Sequence, residues 1–77
     1  MSLVELLQEE QAMMGKSDTE FAEFLGISLP AWSLARSGKR GIGLENLSRI
    51  VKRFPSARRR ELLGAAGLNV DAEAEVA

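Results

Sequence analysis

The chain has 77 residues, which is room for one small domain and no separate catalytic or sensing unit. It contains neither cysteine nor histidine, which excludes a disulfide framework, a thiol or imidazole metal site, a Ser-His-Asp arrangement and a histidine pH switch. The net charge of −1 is unevenly placed: residues 1–27 carry −5, residues 28–60 carry +8 and residues 61–77 carry −4. A basic middle between acidic ends suits a surface that faces phosphates; the plainer reading is a set of solvated helix faces. No apolar run approaches the ~20 residues that span a bilayer. The acidic start lacks the positive flank of a signal peptide. A cytoplasmic chain without a membrane segment is expected.

The apolar spacing predicts a first helix from Leu3 to Met14, with Ser2 as cap and Leu3, Leu6, Leu7, Met13 and Met14 facing inward. Glu10 interrupts that face, and the methionine pair reads as adaptable core filling. Gly15 and Lys16 form the break, with the Lys16 stem lying over the core and its amine in water. Ser17 and Glu20 then have capping-box spacing. Phe21, Ala22 and Leu25 supply one buried face of a second helix, and Gly26 tolerates the left-handed conformation that ends it. Ser28 caps a third helix from Leu29 to about Ser37, in which Pro30 is tolerated because first-turn amides lack intrahelical partners. Trp32 and Ala35, three apart, face the core with Ile27.

Gly38 stops the third helix, and Gly41-Ile42-Gly43 forms a loop whose bare backbone can approach a phosphate. A fourth helix is predicted from Leu44 to about Phe54, with Leu47, Ile50, Val51 and Phe54 inward and Arg49, Lys52 and Arg53 directed elsewhere. Pro55-Ser56 ends it and caps a fifth helix from Ala57 to about Ala66 that stops at Gly67. Leu62, Leu63, Ala66 and Leu68 complete the core or pair with a second subunit. The expected organisation is an all-α domain of five helices over residues 1–68, followed by a small, acidic, disordered tail over residues 69–77.

From Ser17 to Phe54 the chain resembles the lambda-repressor/Cro-like family, the XRE type of helix-turn-helix regulator. Ala22, Gly26, Ile27, Ser28 and Ser33 stand where that family's motif has the same or a similar residue. Gly38-Lys39-Arg40 is similar to its basic turn after the recognition helix, and Leu44-Glu45-Asn46-Leu47 to the start of its fourth helix. The match covers about half the chain without gaps. Three positions depart from the pattern. Asp18 stands where a phosphate-contacting, bracing glutamine is common, Trp32 where a β-branched residue is usual, and Lys16 where an apolar one is.

The resemblance implies a compact five-helix, lambda-repressor-like domain acting as a small DNA-binding transcriptional regulator. The helix around residues 29–37 would enter the major groove of double-stranded DNA. Groove and base contacts would fall to Ser28, Leu29, Pro30, Ser33, Leu34 and Ser37. Phosphate contacts would fall to Ser17, Lys39, Arg40, Gly41 and Gly43. A homodimer through helix five is the expected assembly on a pseudo-palindromic site, and no cofactor, metal or small-molecule substrate is called for.

The other reading is a protein-interaction module on the same scaffold. Asp18 would repel a phosphate, and none of the named groove residues is Arg, Lys, Asn or Gln, the types that make bidentate base contacts. Leu29, Pro30, Ala31 and Leu34 would instead offer an apolar patch to a partner. Enzymatic activity is not expected, because Glu9, Glu10, Glu20 and Glu23 read as solvent-facing acids with no histidine, cysteine or glycine-rich pocket beside them.

Overall fold

Each of the first three helices opens on a serine whose hydroxyl accepts a backbone N–H of the first turn. In the computed structural model, which describes residues 2–67, Ser2 caps α1 (Leu3–Met14), Ser17 caps α2 (Asp18–Leu25) and Ser28 caps α3 (Leu29–Arg36). The first two are full capping boxes. The Glu5 and Glu20 carboxylates accept in return from the Ser2 and Ser17 amides, and these hydrogen bonds hold both carboxyls below the usual glutamate range. α4 (Leu44–Val51) and α5 (Ser56–Ala65) follow, and no strand occurs among the described residues. The fold is all-α. No helix among the described residues is long and apolar enough to cross a membrane.

The boundaries depart from expectation in two places. α4 ends at Val51 rather than near Phe54, because Arg53 and Phe54 donate to the carbonyls three residues back and tighten the chain. Pro55 also biases Phe54 away from helical geometry. α5 begins at Ser56 rather than Ala57: the Arg59 amide donates to the Pro55 carbonyl at 2.9 Å, so Pro55 is the cap and Ser56 the first helical residue. The tail expected over residues 69–77, and the contribution expected of Leu68, lie outside the described residues.

The core unites Phe21, Ala22, Leu25, Trp32, Ala35, Leu47, Ile50, Val51 and Phe54 with Leu3, Leu6, Leu7 and Leu62, and Ile27 packs half-buried against it. Aromatic rings run through its centre. Phe21 meets Trp32 edge-on at 5.0 Å between centroids and Phe24 at 6.0 Å, and Phe24 in turn meets Phe54 edge-on at 5.6 Å. α2 packs on α3, α1 on α3 and α5, and α4 on α5.

The methionine pair does not fill the core. Met13 is 73% exposed and Met14 36%, because the buried i, i+4 row of Leu3 and Leu7 continues to Gln11 and leaves the methionines off it. Gln11, not a methionine, takes the inward position there. Its amide is buried, with both hydrogen bonds made by Nε2: to the Lys16 carbonyl at 3.1 Å and to Asp18 at 2.8 Å.

Glu10, read as a break in the apolar face, is paired. It accepts from Arg58 at 2.8 Å with both side chains mostly covered, and Arg58 also reaches Glu61 at 2.9 Å. That contact ties α1 to α5 across 48 positions of sequence. Lys16 behaves as expected, half-buried with Nζ 5.9 Å from the centre of the Phe24 ring.

Leu25 is fully buried in this core, so Leu25→Ala should lower the unfolding free energy by ~2–5 kcal/mol. A denaturant titration followed by Trp32 fluorescence measures this. A midpoint equal to that of the wild type would remove Leu25 from the core.

Candidate nucleic-acid interface

α2 and α3 are joined by a turn centred on Gly26, which has φ +81° and accordingly favours glycine. Its N–H donates to the Ala22 and Glu23 carbonyls, closing α2, while Ser28 opens α3 two residues later. The guanidinium of Arg53 lies against this turn: a Cβ added to Gly26 would stand 3.4 Å from Arg53 Nη2. Arg53 follows α4, far away in sequence, and reaches the turn that closes α2 only through the fold.

The other end of α3 is also basic. Ser37 caps it and its hydroxyl donates to the Leu34 carbonyl at 3.1 Å. The Lys39 and Arg40 amides donate to the same carbonyl at 3.0 and 3.3 Å, with Gly38 at φ +78° making the bend. Both basic side chains are exposed. α3 is therefore preceded by a turn that Arg53 touches and followed by a turn that carries Lys39 and Arg40.

Between these ends, Leu29, Pro30 and Ser33 are exposed, and Leu34 is half-buried. Leu29 is 42% exposed, and Leu44 at the start of α4 is 72% exposed. The two capping hydroxyls at Ser17 and Ser28 accept from their helices, which leaves each O–H available as a donor to an outside oxygen. Ser37 has used its proton internally. At Gly41 and Gly43 an added Cβ would meet nothing within 4 Å. The protein itself gives no steric reason for glycine at either place, and Gly43 begins α4 without a side-chain cap.

The basic block of residues 28–60 divides in two. Arg36, Arg49 and Arg58 are paired with Asp18, Glu45 and Glu10 respectively. Arg59 donates to the Val51 and Phe54 carbonyls at 3.1 and 3.4 Å and so closes the end of α4. Lys39, Arg40, Lys52, Arg53 and Arg60 have no ion pair among the described residues.

Asp18 is turned inward along its helix terminus. It accepts from Gln11 of α1 and from Arg36 of α3, so one carboxylate holds three helices. Its pKa is lowered, first by the Gln11 hydrogen bond and then by Arg36 against the opposing effect of burial. The Trp32 indole N–H is buried without a partner at hydrogen-bond geometry, yet lies near enough to Asp18 to contribute the least of these effects. Beside this junction is a cleft of about 460 Å³ lined by Gln8, Gln11, Ala12, Gly15, Lys16 and Arg36. No group of acidic side chains among the described residues could hold a metal ion.

No protein-family model, no curated protein and no solved structure matches the chain.

The folded state holds the Asp18 carboxyl below its unfolded value, so ionised Asp18 stabilises the fold at neutral pH. That contribution is lost as pH falls below ~4 through the lowered folded pKa. Asp18→Asn should therefore be less stable than the wild type at pH 7, with the gap narrowing at pH 3. Denaturant midpoints at the two pH values test this, and an equal gap at both would show that the ionised form carries no advantage.

Proposed function

We propose that the chain is a small DNA-binding transcriptional regulator with a lambda-repressor-like arrangement, using α3 as the element that enters the major groove. The observation that carries this reading is the placement of unpaired bases at the turns on either side of α3: Arg53 against the α2–α3 turn, Lys39 and Arg40 in the turn that follows. A helix in the groove has a phosphate strand on either side, and bases beside both flanking turns meet that geometry.

In this mechanism Lys39, Arg40 and Arg53 supply affinity by displacing counterions from the backbone. Ser17 and Ser28 donate their free O–H groups to phosphate oxygens. Gly41 and Gly43 let the loop backbone lie close to the duplex, which accounts for glycines that the fold does not require. Ser33 and the apolar Leu29, Pro30 and Leu34 face the base edges, where they read thymine methyls and groove shape rather than bidentate hydrogen-bond patterns. Ser37 contributes its hydroxyl oxygen as an acceptor. One such helix covers only a few base pairs, so a second copy, joined along α5 where half-buried Leu63 and Ala65 border the core, completes a pseudo-palindromic site. Asp18 does not oppose this arrangement as its charge alone suggests, since Arg36 neutralises it.

A mobility-shift assay against DNA flanking the chain's own coding region and against an unrelated duplex, at two salt concentrations, tests the reading. Lys39→Ala, Arg40→Ala and Arg53→Ala should each weaken binding to both duplexes alike and flatten the slope of log affinity against log salt by roughly one unit. Ser33→Ala and Leu34→Ala should change the preference between duplexes, with costs near or below ~1 kcal/mol, because neither side chain makes a bidentate pair. Absence of salt-sensitive binding in the wild type would overturn the DNA reading. The exposed apolar residues Leu29 and Leu44 would then make a protein-interaction module the better account.

A further inference from the structure

The cleft of about 460 Å³ beside the end of α1 is walled by two cations, Lys16 and Arg36, and two carboxamides, Gln8 and Gln11, with no acid in its lining. That volume falls in the range of small-molecule sites, ~300–1,000 Å³. The fold uses its polar groups only in part. Arg36 gives Nη1 alone to Asp18, and Lys16 has no ion pair among the described residues. Gln11 is 8% exposed, and both partners of its amide nitrogen are acceptors, which fixes that atom as Nε2. The remaining amide atom, Oε1, makes no hydrogen bond among the described residues. It is not sealed off either, since the buried side-chain polar atom without a partner there is the Trp32 indole nitrogen. An otherwise covered side chain thus keeps one acceptor open, on the cleft that it lines.

We infer that this cleft is a binding site for a hydroxylated monocarboxylate, an assignment that stands independently of the DNA reading above. Charge sets the anion. Lys16 and Arg36 bring two positive charges and Asp18 neutralises one, so a single negative charge balances the site. A carboxylate accepts from the Arg36 N–H groups that Asp18 leaves free and from the Lys16 ammonium, in charge-assisted hydrogen bonds. The open Oε1 of Gln11 is an acceptor and calls for a donor, which a hydroxyl of the ligand supplies. Gln8 brings both a donor and an acceptor to further hydroxyls. A plain aliphatic acid leaves these amides unmet, and a phosphate dianion exceeds the charge of the site. Gln8 and Gln11 belong to α1 and Arg36 to α3, so the bound acid joins the two helices and stabilises the fold.

The test titrates the full chain with gluconate, glucitol, acetate and inorganic phosphate, following the side-chain amide resonances of Gln8 and Gln11 and the Arg36 Nε–H. Gluconate should shift these signals saturably with a Kd on the order of 1 mM and raise the thermal midpoint. Lys16→Gln should weaken gluconate binding about tenfold. Gln8→Ala, a second variant that keeps both cations, should weaken it about threefold. Lys39→Ala, outside the cleft lining, should leave it unchanged. Absence of a saturable shift with gluconate would overturn the proposal. Equal affinity for glucitol would overturn it by removing the need for charge, and equal affinity for acetate by removing the need for hydroxyls. Equal affinity for phosphate would reduce the site to a generic anion patch and overturn it as well. So would gluconate binding that neither Lys16→Gln nor Gln8→Ala weakens.

Discussion

The edge-on packing of Trp32 against Phe21 is the contact on which the arrangement of the other helices depends. Both side chains are fully buried, and they join α2 to α3 immediately on either side of the Gly26 turn. A turn that short fixes how near the two helices lie but leaves their relative rotation open; the ring contact sets it. The row continues through Phe24 to Phe54, so the same chain of rings carries the position of α3 to the end of α4. Where a β-branched residue would fill only local space, the indole extends α3's grip toward the Asp18 side of the domain.

Polar ties then secure what the rings align. Asp18 joins α1, α2 and α3 through Gln11 and Arg36, and Arg58 joins α5 to α1 through Glu10. The first is partly open to water and the second mostly covered. The second is accordingly the one in which removing a single partner leaves a desolvated charge, the costlier situation. This division also decides which bases remain at the surface. Arg36, Arg49, Arg58 and Arg59 are engaged within the fold, while Lys39, Arg40, Lys52, Arg53 and Arg60 have no ion pair among the described residues.

Local signals were legible in the sequence wherever a residue acts on its own chain neighbours. Ser17 with Glu20, Gly26, Ser28 before Pro30, and Gly38 all do what their types and spacing demand, and the helices they delimit follow. Trp32 was readable as core because its partners at Ile27 and Ala35 share its helical face. The failures have a common origin. Met13 and Met14 continue an apolar period, but period alone does not say where the opposing helix ends. Arg53 was legible only as a residue off the inward face of α4, because its contact with Gly26 is made across the fold. The pairing of Arg36 with Asp18 and of Arg58 with Glu10 was hidden for the same reason. The composition of the basic block was plain in the sequence; its division into structural and surface charges was not, since that division is set by tertiary neighbours.

The tie between Glu10 and Arg58, together with Leu62 fully enclosed by the core, has a consequence for how the chain is made. α1 packs on α3 as well, but its α5-facing side and the Glu10 charge are completed only by α5. During ribosomal synthesis the first four helices emerge with that side open. Because α1 is synthesised before α5, Glu10 has no Arg58 partner until α5 has emerged, an interval in which the partly assembled core is open to chaperones.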